Sequence, residues 1–143
     1  MIRRTTFDNW FSANALNINK QLIKYLSIDT SNEKEKDAYD YLEQILTQYG
    51  FDFYIEPYHT ELDEHNLSTY PVNVAGVNIR AIYKKGVNNQ NKILFNCHVD
   101  VVPHSKCSKN QFQPYITDNK IYARGACDIK SNMFLLLGAI KFL

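Results

Sequence analysis

Residues 92–103, KILFNCHVDVVP, constrain the fold more than any other stretch. Ile93, Leu94 and Phe95 form an apolar run without polar interruption, and such a run is expected of a strand buried on both faces, with helices covering the sheet. Upstream, VNVAGVNIRAIYKK carries Val72, Val74, Val77, Ile79 and Ile82 in a β-type pattern, and GVNNQN between the two segments is turn material. The pattern predicts a hairpin of these two strands inside an α/β fold.

The rest of the chain supplies the covering helices. NINKQLIKY places Ile18, Leu22 and Tyr25 at helical spacing and predicts a helix from Asn17 to Tyr25, ending in the cap-and-turn residues of SIDTSN. TSNEKEKDAYDYLEQILTQYGF predicts a second helix. Ser31 or Asn32 can cap it, Ala38, Tyr41, Leu42, Ile45 and Leu46 form its apolar stripe, and Gly50 stops it. FDFYIEPY alternates as a strand does, and HTELDEHNLSTYP, with His59 and His65, is expected to be a solvated loop. QPYITDNKIYARG reads as a small hairpin turning at TDNK, and DIKSNMFLLLGAIKFL as a final helix with Asp128 or Ser131 near its start. A single domain over residues 1–143 follows, with a mixed β-sheet flanked by helices.

Composition narrows the partners. Sixteen basic against fifteen acidic residues leave a net charge of +1, without the basic stripe that a phosphate backbone requires, so nucleic acid is not expected. No stretch approaches the eighteen or so apolar residues of a membrane span, and no apolar signal region follows the two amino-terminal arginines. Cys97, Cys107 and Cys127 are an odd number without framework spacing, which fits free thiols in the cytoplasm.

Two segments can carry chemistry. His98 and Asp100 stand at the carboxyl end of the predicted strand, where ligands sit in open α/β sheets. As positions i and i+2 they point the same way, so Asp100 can accept the imidazole N–H of His98 while the other ring nitrogen faces outward. The triplet alone is a weak signal, since a histidine at a strand end is more often a packing or surface residue. In YARGACDIKSNM, Asp128 falls near a helix start, where free N–H groups and the helix dipole favour a carboxylate. It can be a metal ligand or an ordinary N-cap, and Lys130 reads as an exposed helix residue.

Taken together, CHVDVVP and IYARGACDIKSNM resemble the M20 family of zinc-dependent metallopeptidases and amidohydrolases, and the opening helices are similar to that family's amino-terminal pattern. The resemblance implies a zinc-exopeptidase-like catalytic domain. It makes His98 and Asp128 metal ligands, Asp128 as a bridge between two zinc ions, with Co2+ or Mn2+ as substitutes, and it places Asp100 among the catalytic residues as the aspartate that orients His98. It further implies hydrolysis of an amide bond in a small N-acylated amino acid or short peptide, and leaves room for a homodimer in a longer form. The family's general base and a ligand come from a pair of glutamates, yet no glutamate follows Glu64. The apolar, uncapped LLLGAIKFL also reads as a helix cut short. The chain is therefore expected to be the amino-terminal part of an incomplete catalytic domain, inactive alone. Two alternatives are a structural zinc site using Cys97 with His98, and a non-catalytic interaction module that retains part of a metal motif.

Overall fold

The computed structural model describes residues 4–32, 34–60, 74–84, 93–107 and 109–143. Its elements run α1 (Arg4–Leu26), α2 (Lys36–Tyr49), β1 (Asp52–Thr60), β2 (Val74–Ile82), β3 (Tyr115–Thr117), β4 (Lys120–Tyr122) and α3 (Lys130–Phe142). Helices and sheets share one chain, as the α/β expectation requires. Both sheets are two-stranded and antiparallel, β1 with β2 and β3 with β4. No helix among the described residues is long and apolar enough to cross a membrane.

The core is a meeting of three helices. Leu22, Tyr25 and Leu26 of α1 pack with the α2 stripe and with Phe134 and Leu137 of α3. The α2 stripe is the predicted one, Ala38, Tyr41, Leu42, Ile45 and Leu46, extended by Tyr49. Gly50 ends that helix in the left-handed region at φ 78°, and the N–H groups after the last turn find the carbonyls of Leu46 and Thr47. At the other end Glu35 occupies the cap position without a side-chain bond, so neither Ser31 nor Asn32 caps the helix. Ser31 is engaged elsewhere, with the carboxylate of Asp29.

Helix α1 begins thirteen residues before the expected Asn17, at Arg4. Phe7 and Trp10 explain the extension. They hold Phe142 at the far end of α3, with ring centroids at 5.2 and 5.3 Å respectively, so the amino-terminal turns are packed by a residue distant in sequence.

Strand β1 pairs with β2 from Asp52 opposite Ile82 to Thr60 opposite Val74. Phe53 and Ile79 turn toward the helices, whereas Tyr54 and Arg80 face out, opposite each other, with the guanidinium over the ring. His59 lies in this strand rather than in a loop, and His65 is outside the described residues. β2 thus spends its ladder on β1, not on residues 93–98. Those residues belong to no strand among the described residues, and Ile93 and Leu94 stand 81% and 92% exposed. The predicted buried strand is absent because a strand needs a neighbour for its N–H and C=O groups and apolar layers on its faces. The second hairpin forms as predicted, with Asp118 and Asn119 at φ 50° and 57°, the left-handed pair of a tight two-residue turn.

Candidate metal centre

The segment after Phe95 alternates in burial without a ladder. Cys97, Val99 and Val101 turn inward, while His98 and Asp100 face solvent. Thr30, fully buried in the turn after α1, fixes the segment: its hydroxyl donates to the Val99 carbonyl at 2.8 Å and its own carbonyl accepts the Val101 N–H at 3.3 Å. The two bonds bracket Asp100.

The second segment arrives through a turn that glycine makes feasible. Gly125 sits at φ 80°, and a Cβ there would lie 3.0 Å from the Lys130 side chain and 3.1 Å from Val101. Arg124 before it reaches across to the first segment, donating to Ser105 Oγ and Gln111 Oε1 at 2.6 Å and to the Pro103 carbonyl at 3.3 Å. The Asp128–Ile129 peptide bond is cis, and α3 starts at Lys130 without a side-chain cap. Asp128 is therefore not the cap of α3. Its carboxylate is 90% exposed and lies beside His98.

Lys130 departs most from expectation, being fully buried. Its ammonium donates to the Ile28 carbonyl at 3.0 Å, and more distantly to that of Tyr25, and stands 4.7 Å from the Tyr25 ring centre. Burial pushes it down to about 8, against the opposing pull of Asp29. Nothing in a lysine two residues into a polar turn signals this, because its partners lie a hundred residues earlier.

His98 and Asp128, thirty residues apart in sequence, meet with Nε2 3.3 Å from Oδ1. On the other side of the ring, Nδ1 is 2.9 Å from the Asp100 carbonyl and 3.3 Å from its carboxylate. A ring that donates Nδ1–H to Asp100 turns the lone pair of Nε2 toward the Asp128 carboxylate, acceptor against acceptor. Only a cation between them, a proton or a metal, makes that contact favourable. Burial lowers the His98 pKa, but the bond to the Asp100 carbonyl, the Asp128 carboxylate and the charges of both aspartates outweigh it, and the net shift is upward. The separation also suits a metal, since neighbouring ligands of tetrahedral zinc at bond lengths of 2.0–2.1 Å stand about 3.3 Å apart. The donor set, one imidazole and one carboxylate, fits zinc.

Among the described residues no third His, Cys, Asp or Glu converges to complete a metal shell. Cys97 is half-buried on the inner side of its segment, and burial pushes its thiol up, away from the thiolate a metal needs.

Comparison with known proteins falls on the same segments. Residues 94–143 match the peptidase family M20/M25/M40. The M20 resemblance is borne out by relatives that extend it over most of the chain. A succinyl-diaminopimelate desuccinylase of Ehrlichia canis (strain Jake) is 27% identical over 129 residues, covering 88% of this chain and 30% of the relative. Those of Wolbachia pipientis subsp. Culex pipiens (strain wPip) and Orientia tsutsugamushi (strain Ikeda) are each 29% identical, over 86% and 85% of this chain and 27% of their own length. The chain thus spans less than a third of the length of these relatives.

Proposed function

We propose that this chain contributes part of the metal site of an M20-type hydrolase that cleaves an amide bond in a small N-acylated amino acid or short peptide. The approach of His98 Nε2 to Asp128 Oδ1 carries this reading, because a ring that donates Nδ1–H to Asp100 turns its other nitrogen on the carboxylate, a pair that a proton or a metal ion can bridge. Names of the relatives point to N-succinyl amino acids as the substrate class. A bound zinc ion would act as a Lewis acid and lower the pKa of a water molecule, with Co2+ or Mn2+ able to take its place. His98 would offer its deprotonated Nε2 to the metal. Asp100 fixes its tautomer from the Nδ1 side and raises its basicity, making it a positioning residue. Asp128 adds negative charge on the solvent side, open enough to reach a second ion.

Two donors do not close a four-coordinate shell, and the sequence holds no glutamate after Glu64 to act as base. We place turnover in a longer form and metal binding in this chain, and the odd cysteine count supports a cytoplasmic setting. Calorimetric titration with Zn2+ tests the site. The chain is expected to bind the metal, His98→Ala and Asp128→Ala to lose most of that affinity, and Cys97→Ser to keep it. Retention of zinc by both the His98 and Asp128 variants would sink the assignment.

A further inference from the structure

We propose that the turn after α1, through Thr30 and Lys130, positions the two metal donors: it ties the His98 segment to the start of α3 and so sets the His98–Asp128 separation. The inference rests on the metal site proposed above, and its anchor, Ile28 to Thr30, lies outside residues 94–143, to which the family match is confined.

Burial cannot fix the donors themselves. The His98 side chain is 47% exposed and that of Asp128 is 90% exposed, so their distance depends on the backbones that carry them. Both backbones share one anchor. On one side the two hydrogen bonds of Thr30, to the Val99 carbonyl and from the Val101 N–H, hold the segment immediately after His98. On the other, the Lys130 ammonium reaches the Ile28 carbonyl at 3.0 Å, two residues before Thr30, while its own N–H donates to the Gly125 carbonyl and closes the turn that presents Asp128.

The anchor is itself braced. Asp29, between Ile28 and Thr30, accepts from the Ser31 N–H at 3.0 Å and the Ser31 hydroxyl at 2.6 Å, so the turn is held by its own side chains. Thr30 and Lys130 are both fully buried, and their side chains bond the carbonyls of Val99, Ile28 and Tyr25 rather than His98 or Asp128. They act through backbone placement. Removing a group bonded directly to a metal ligand weakens metal binding by about 10- to 100-fold, and Thr30 and Lys130 act one step further out, through the backbone, so the lower end of that range is expected.

The test titrates the full chain with Zn2+ alone, for the wild type, Thr30→Val and Thr30→Ser, with metal-free melting followed in parallel. Valine keeps the shape and loses the hydroxyl, so Thr30→Val should bind zinc about tenfold more weakly, the lower end of the range for groups bonded directly to a ligand. Serine should restore the wild-type affinity. Equal zinc affinity in the wild type and a folded Thr30→Val overturns the positioning role and leaves the metal site standing; absence of binding in the wild type removes the site and the inference together. Should Thr30→Val fail to fold, amide exchange in the wild type decides. By reciprocity, zinc must slow exchange at the Val101 N–H if that bond supports the site, and an unchanged rate on loading overturns the tie.

Discussion

Asp29 shows how one carboxylate is held by its neighbours. Partial burial raises its pKa, but the Ser31 hydroxyl and N–H and the Lys34 ammonium outweigh that, and the group titrates below its ordinary 3.8. A carboxyl depressed by folding contributes stability that is present above the unfolded value and lost as pH falls through the folded one. Asp29→Asn keeps an acceptor oxygen for Ser31 and removes the charge. The stability difference between wild type and Asp29→Asn, from urea unfolding, should be constant near neutral pH and shrink on acidification below 3.8; a difference independent of pH down to 2 would refute the assignment. At this scale residue type singled out His98, Asp100 and Asp128, and the fold brings the three side by side. Thr30 and Lys130 were not legible in the same way, because their roles come from partners 69 and about a hundred residues distant rather than from local pattern.

Elements were legible where local signals sufficed. Helix α2 has its stripe and its glycine stop, and the β3–β4 hairpin has an Asp-Asn pair able to take positive φ. The amino half of α1 needed Phe142 to hold it, and residues 93–98 lack the neighbours that would make their apolar run a strand, so both differ from the local reading. Gly50 isolates the contribution of a stop signal. Its φ is 78°, yet nothing lies within 4 Å of where a Cβ would be, so alanine meets no clash and only backbone strain remains. Gly50→Ala is therefore expected to lower unfolding stability by about 1–2 kcal/mol, the cost of left-handed backbone for an L-residue. Urea denaturation measures it. No loss of stability would mean that the helix ends by other means.

For the molecule as a whole, one three-helix core carries the packing while apolar side chains at the edge of the His98 segment remain in water. Ile93, Leu94 and Phe95 are 81%, 92% and 55% exposed, and the backbone beneath them pairs in no sheet among the described residues. Apolar side chains on an open backbone favour pairing with other chains, since both the hydrogen-bonding groups and the apolar surface gain from it. At raised concentration the chain is expected to self-associate through this segment. Leu94 is the informative position, because replacing a side chain already in solvent removes almost no buried area and leaves the core of Tyr25, Phe134 and their neighbours intact. A lysine there adds charge where edge-to-edge pairing would otherwise form, a recurrent way of protecting open edges. Leu94→Lys should lower the weight-average mass seen by sedimentation at high concentration while leaving the melting temperature and Zn2+ affinity unchanged. A fall in melting temperature would show that Leu94 is packed in solution. Association undiminished in the variant would move the contact to another surface, the exposed Phe7 and Phe11 of α1 being the next to probe.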